Sequence, residues 1–264
     1  GMEDQHAAVL TLLDDLSEAT QVVQGATDVL GPVCPLVGGN SSAAGQFINE
    51  QVGSDALAAA LLRTPAPIGI GVAHGWKPAG RPMVVTRSVA NVIYELDGQP
   101  ALEVYRRMWW DESSEFDAER FPDLAATHPL GLPQLGSEYL IRDASLARPD
   151  GAIELAAPIP ENAVAHMMSG NKDELFAAAR AAAQRAVDEL GGRPPAAAIV
   201  FDCVSRLMLL GDDAVTEIDH IRDVVGHETP LIGMFSFGEI AAPPGLGLAA
   251  FHNKTVVVCV LAQE

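Results

Sequence analysis

Glycine and proline cut this chain into short apolar segments, and that punctuation limits most strongly what it can fold into. With 24 Gly and 18 Pro among 264 residues, most apolar runs are closed by a turn within a few positions, which is the spacing of strands. Even Val256–Ala262 falls far short of the roughly 20 residues that span a bilayer. Strand patterns are read at 34–37, 68–72, 82–86, 91–96, 139–143, 153–158, 163–168 and 196–203. Residues 47–52 and 56–62 read as a hairpin around Gly53-Ser54-Asp55, and 68–72 and 82–86 flank a turn at His74-Gly75-Trp76. The last two strands, 231–237 and 255–261, are expected to pair antiparallel.

Helical spacing is rarer. Val9, Leu12, Leu13, Leu16, Ala19 and Val23 fit one helix over 3–23. Pro100 opens another that runs to about residue 110. The clearest covers 172–190, is Ala-rich and is closed by Gly191-Gly192, and Asp212 or Asp213 caps a fourth to about Val225. Strands outnumber helices and mostly meet at hairpin-like turns. The expected fold is therefore α+β or mixed α/β, with largely antiparallel or mixed sheets and helices packed outside them, not a doubly wound sheet. No short repeat is evident. Charge followed by Pro122, Pro129 and Pro133 makes 111–136 the expected linker between a first domain, 1–110, and a second, 137–264.

Composition excludes some partners. Sixteen basic residues against 35 acidic ones give a formal charge of −19, so neither nucleic acid nor an anionic membrane is an expected partner. Three cysteines without a CxxC pair fit a reducing, cytoplasmic compartment. Gly1 before Met2 reads as a tag remnant, and no basic-then-apolar leader is read at the start.

Gly69-Ile-Gly71 lacks the third glycine of a dinucleotide loop, and neither a P-loop nor a G-x-S-x-G elbow occurs, so no cofactor is expected. Glu3/His6 and Glu217/His220 have the spacing of di-metal helices but not the four-helix bundle those need. They read as exposed helix charge, and no metal is expected. The segment Phe201-Asp-Cys-Val-Ser-Arg206 ends a buried strand, where Arg206 would activate Cys203 or Cys203 would simply pack as a small hydrophobe. Cys259 reads as core. In Gly233-Met-Phe-Ser-Phe-Gly-Glu-Ile240, Phe235 and Phe237 alternate along a strand, Ser236 lies between them, Gly238 permits close approach, and Glu239 ends an apolar run. Glu239, His252 and Asn253 would converge at one end of a hairpin, as ligand contacts or as partners of loop backbone. His74 and Trp76 form a similar polar–aromatic pair.

Together these segments resemble the FIST family. Residues 233–240 followed by Phe251-His-Asn-x-Thr255 are similar to the end of its C-terminal domain, and Cys203-x-x-Arg206 to that domain's middle. His74-Gly-Trp76, Val85-Thr86 and Glu95-Leu-Asp-Gly-x-Pro-Ala101 with Tyr105 resemble the end of the N-terminal domain. The resemblance implies a truncated N-terminal domain over 1–110 that lacks its second Gly-Glu-Ile hairpin, and a C-terminal domain over 137–264. It also implies a sensory, signal-transducing module that binds a small molecule, amino acids among the candidates, and passes its signal to a partner protein. Cys203, Arg206, Phe235, Ser236, Gly238, Glu239, His252, Asn253, His74 and Trp76 are the expected ligand contacts, with an arginine for a carboxylate and a glutamate for an ammonium. Two other readings compete: a hydrolase or transferase with Cys203 as nucleophile and His252 or His74 as base, and a scaffold that docks a partner. An open sheet face left by the missing segment would be covered by the N-terminal helix or by homodimerisation.

Overall fold

A computed structural model of the chain describes residues 5–14, 18–41, 45–109, 117–134, 139–242 and 247–264. Two compact units form, one from both ends of the chain (Gly1–Gly75 and Lys172–Glu264), the other from the middle (Trp76–Asn171). This differs from the sequential division expected at 111–136. Phe121 and Leu130, inside the expected linker, are fully buried in the core of the middle unit. Apolar anchors outweighed the prolines that surround them.

The first arm runs through β1 (His6–Leu13), α1 (Ala19–Leu30), β2 (Leu36–Asn40), β3 (Gln46–Ile48), β4 (Gln51–Gly53), β5 (Leu57–Thr64) and β6 (Ile68–Ala73). The helix expected over 3–23 is instead β1 followed by the start of α1. β1 is hydrogen-bonded on both sides, parallel to β2 and antiparallel to β5. An interior strand carries near-continuous apolar residues, which imitate a helical stripe over one or two turns. The expected hairpin of 47–52 with 56–62 is replaced by a short β3–β4 ribbon turning at Asn49, φ 55°.

The middle unit holds β7 (Lys77–Pro78), β8 (Met83–Val89), β9 (Val92–Leu96), β10 (Gln99–Pro100), α2 (Ala101–Trp109), α3 (Phe121–Ala126), β11 (Leu130–Pro133), β12 (Tyr139–Arg142), β13 (Ala144–Ala147), β14 (Ile153–Leu155) and β15 (Val164–Ser169). Its main path is antiparallel throughout, in the order β12-β11-β15-β8-β9-β14-β13. Tyr105 of α2 and Phe121 of α3 pack into the same core as Ile93, Ile153 and Met167.

The return arm adds α4 (Lys172–Asp188), β16 (Pro195–Cys203), α5 (Val204–Leu210), α6 (Ala214–Val225), β17 (Leu231–Ser236), β18 (Glu239–Ala241), β19 (Ala250–His252) and β20 (Val256–Ala262). The end-built unit contains two mixed sheets, β19-β18-β2-β1-β5 and β17-β16-β20-β6, joined by a buried cluster that includes Val37, Val72, Phe201, Ala241 and Val257. Helices α4 and α6 cover the outer face of the second sheet. The fold is α+β with mixed sheets, as the sequence predicts. The last long strands share a sheet but do not pair, because β16 lies between them, parallel to β17 and antiparallel to β20. β6 and β8, expected to face each other across a turn, belong to different units.

A repeat hidden from the sequence organises the end-built unit. β1, α1, β2, ribbon, β5 has the same order and strand directions as β16, α5–α6, β17, ribbon, β20. Pro35-Leu-Val-Gly38 matches Pro230-Leu-Ile-Gly233. The Pro35 and Pro230 carbonyls accept from Val9 and Ala198 at 2.9 Å each, and Gly38 and Gly233 stand opposite Thr11 and Val200. The hairpin that the resemblance implies is missing has a counterpart in the structure, since Gly45-Gln-Phe-Ile48 takes the place of Gly238-Glu-Ile-Ala241. Gln46 donates to Ser41 Oγ at 2.8 Å, much as Ser236 Oγ donates to Glu239 at 2.7 Å. Gln for Glu and Phe for Ile conceal the match.

Ile68-Gly-Ile-Gly-Val72 alternates for a mechanical reason. Its large residues face the inter-sheet core, and its glycines seat α4. A Cβ on Gly69 would lie 1.8 Å from the Ala186 carbonyl oxygen, and one on Gly71 1.9 Å from that of Ala182. Gly71→Ala must lift the helix and should cost roughly 1–3 kcal/mol or more. Gly25, exposed inside α1 with nothing within 4 Å of its Cβ position, should gain about 0.5–1 kcal/mol as Ala. Urea unfolding of the two variants checks both signs.

Candidate functional site

Nine of the ten expected contact residues lie in the end-built unit. Trp76 is buried in the other. The nine do not line one open pocket. Six of them, Cys203, Arg206, Ser236, Glu239, His252 and Asn253, are at most 4% exposed, whereas Phe235 is 39% exposed. Strand alternation separates them, since Ser236 points inward and Phe235 outward.

The first buried network centres on Arg206, in the opening turn of α5. Its guanidinium has no exposure and donates to the carbonyls of His74 at 2.8 Å and Leu175 at 3.0 Å. It also donates through Nε to Glu217 Oε1 at 3.1 Å, makes a second, closer bond from Nη2 to the same oxygen, and sits 3.2 Å from Asp202 Oδ1. Glu217, read from the sequence as exposed helix charge, is fully buried. The i+3 spacing to His220 hid it, because only the tertiary fold brings α6 onto Arg206. Both Asp202 oxygens and Glu217 Oε2 find no donor among the described protein groups. Burial first, then the charge of Glu217, hold the Asp202 carboxyl well above its usual range. That shift favours the neutral form of Asp202 beside the Arg206–Glu217 ion pair. Burial, with help from the positive neighbours His252, Arg206 and Arg185, pushes His74 down to about 4.

The second network surrounds Glu239. Its carboxylate accepts from Ser236 Oγ and Thr255 Oγ1, both at 2.7 Å, and from the Thr255 N–H at 3.2 Å. Burial nevertheless raises its pKa from 4.5 to about 7. Glu239 faces His252 across the β18–β19 pair. His252 Nε2–H donates to the Ala241 carbonyl at 3.0 Å, and Asn253 Nδ2 donates to the His252 carbonyl at 3.1 Å. Gly238 adopts φ 155°, and a Cβ there would fall 2.1 Å from Phe251 Cζ, so only glycine fits under that ring. Cys203 Sγ lies 3.1 Å from Ser205 Oγ. Glu239 and His252 thus meet as expected, while Arg206 and Glu239 serve separate networks.

An open cavity of about 600 Å³ lies elsewhere, against β6. Pro32, Pro35, Ile68, Ile70, Val72 and Ala242 give it apolar walls, and Arg185, Asp188 and Glu189 supply charge. None of the ten expected residues lines it. The helix seat created by Gly69 and Gly71 brings α4 close enough for Glu189 to accept from the Ile70 N–H at 2.9 Å and for Arg185 to donate to the Val72 carbonyl at 2.5 Å. These bonds cap the outer backbone edge of β6. The sequence signal is the Gly-x-Gly alternation, which seats a helix here rather than a phosphate. Among the described residues no cluster of three or more His, Cys, Asp or Glu could hold a metal ion, and no helix is long and apolar enough to cross a membrane.

A FIST N domain model matches residues 2–99 and a FIST C domain model matches 101–242. The chain belongs to the FIST family, a class of sensory and signal-transduction domains. The boundary between the matched models falls at residue 100, ahead of the segment read as linker. The chain is 27% identical over 209 residues to an uncharacterized protein of Mycobacterium bovis, Mb0898c, and equally to one of Mycobacterium tuberculosis, MT0897. These matches cover 77% of this chain and 53% of each relative, so the chain aligns with about half the length of the curated relatives it matches.

Two outcomes test the buried networks. Arg206→Met leaves the Asp202–Glu217 pair without its counter-charge and should cost about 3–5 kcal/mol in urea unfolding, ligand or no ligand. For Glu239 the folded pKa exceeds the unfolded one, so the folded state binds more protons between pH 4.5 and about 7. Stability from this group is therefore complete below pH 4.5 and is lost as pH rises through about 7. Wild type should lose about 3 kcal/mol more than Glu239→Gln over that window. Parallel curves would contradict the assignment.

Proposed function

We propose that this chain is a sensory module whose signal begins with a small amphipathic molecule, amino acids being the leading class, bound in the cavity on β6. The observation that carries this reading is the cavity itself. Its volume of about 600 Å³ lies within the ~300–1,000 Å³ usual for small-ligand sites. Apolar walls suit a side chain, Arg185 suits a carboxylate, and Asp188 with Glu189 suits an ammonium. Arg185 and Glu189 already bind the β6 backbone, so a ligand that competes for them would alter how α4 holds that strand. This gives a route by which occupancy changes the surface that a signalling partner reads. The reading moves the ligand from the buried Arg206 and Glu239 networks to α4 and β6.

Thermal unfolding across a panel of amino acids and related metabolites tests it. A true ligand at about 100 times its Kd stabilises the folded state by roughly 2.7 kcal/mol, a shift on the order of 5–10 °C. Asp188 is exposed, so Asp188→Asn should leave the unliganded midpoint unchanged and reduce the shift for ligands carrying an ammonium. A panel without any shift, or a shift untouched in both Asp188→Asn and Arg185→Gln, would overturn the assignment.

A further inference from the structure

The two copies of the repeat use their ribbons unequally. In the return arm, β18 adds to the free edge of β2, with Glu239 opposite Gly39 and Ile240 opposite Gly38. Bonds of 2.8 Å from Asn40 N to the Gly238 carbonyl and from Phe237 N to the Asn40 carbonyl extend that junction. Aligning the copies on Pro35–Gly38 with Pro230–Gly233, and on Gly45-Gln46 with Gly238-Glu239, predicts the equivalent contact. β3 would add to the outer edge of β17, placing Gln46 opposite Met234, Phe47 opposite Gly233 and Ile48 opposite Ile232. Among the described residues neither strand is so engaged. β3 bonds β4 alone, and β17 ends its sheet.

Both strands are dressed for such a contact. Phe47, Ile48 and Val52 on the ribbon are 76%, 49% and 80% exposed, and Ile232 on β17 is 71% exposed. Unpaired edges with exposed apolar side chains are templates for strand addition. Strands β3, β4 and β17 carry no charged residue, in a chain whose formal charge is −19. A chain's own ribbon lies against β5, in the other sheet from β17.

We propose that the β3–β4 ribbon of one copy adds antiparallel to β17 of a second copy, and reciprocally, giving a two-fold dimer. Each contact repeats between chains the junction that β18 and β2 make within one chain. The proposal is independent of what the β6 cavity binds.

Engineered disulfides test register and partner together. On a Cys34→Ser background, chains carrying Ile48→Cys alone and Ile232→Cys alone are mixed and oxidised. The expected product is a disulfide-linked dimer on a non-reducing gel, formed only when both variants are present. A mixture that stays monomeric overturns the proposal. So does a double variant whose disulfide closes within one chain, which would mean the ribbon reaches its own β17. Light scattering of the wild type should give about twice 27.7 kDa, and Phe47→Asp with Val52→Asp, both at exposed positions, should give the monomer mass with an unchanged circular dichroism spectrum and a melting point that no longer rises with protein concentration. A wild-type monomer, or a variant that remains dimeric, would equally refute it.

Discussion

A single guanidinium fixes the interior of the end-built unit. Arg206 cannot be solvated where it lies, so every donor it carries must be satisfied by the protein or the charge could not be there. Its partners come from far apart in the chain. They are the carbonyl of His74 at the exit from β6, the carbonyl of Leu175 in the first turn of α4, Asp202 at the end of β16, and Glu217 in α6. His74 and Leu175 flank the points where the chain leaves this unit and returns to it. The insertion of the middle unit therefore starts and ends on a clamp. Burial and the neighbouring Glu217 charge both raise the Asp202 pKa, which favours its neutral form beside the Arg206–Glu217 ion pair.

The same economy of space shapes the outer side of the second sheet. Two glycines on β6 and a row of alanines on α4, including Ala182 and Ala186, let helix and strand approach until backbone meets backbone. That approach aims Arg185 and Glu189 at the strand edge and leaves a half-open cavity beside them. Ile68, Ile70 and Val72 wall that cavity, while Asp188 and Glu189 at the end of α4 remain exposed. A ligand in the proposed site, at the joint between one helix and one edge strand, would couple occupancy to structure through its differential contacts with them.

The repeat explains why the Glu239 region looked like a binding motif. Gly238-Glu-Ile240 and His252-Asn-x-Thr255 are invested in a junction, β18 on β2, whose charged member must be hydrogen-bonded because it is sealed. A glutamate held by two hydroxyls and an N–H is a structural anchor with a raised pKa, and its polarity alone did not distinguish that role from ligand contact.

Local chemistry in the sequence determined a good deal. Gly/Pro spacing identified most strands, α4 and α6 stood out by their caps and periodicity, and the family was legible in the motifs around Arg206, Glu239 and His252. The sequence also brought Glu239 and His252 together, because a hairpin joins near neighbours. Contacts between distant segments lay beyond its reach. That β1 is an interior strand, that Glu217 turns inward, that Phe121 and Leu130 anchor a core rather than a linker, and that β16 separates β17 from β20 all depend on what another part of the chain presents. Burial and hydrogen-bond partners belong to pairs of segments rather than to residues. The tertiary structure alone therefore decided which polar groups were sealed as framework and which were left facing the cavity.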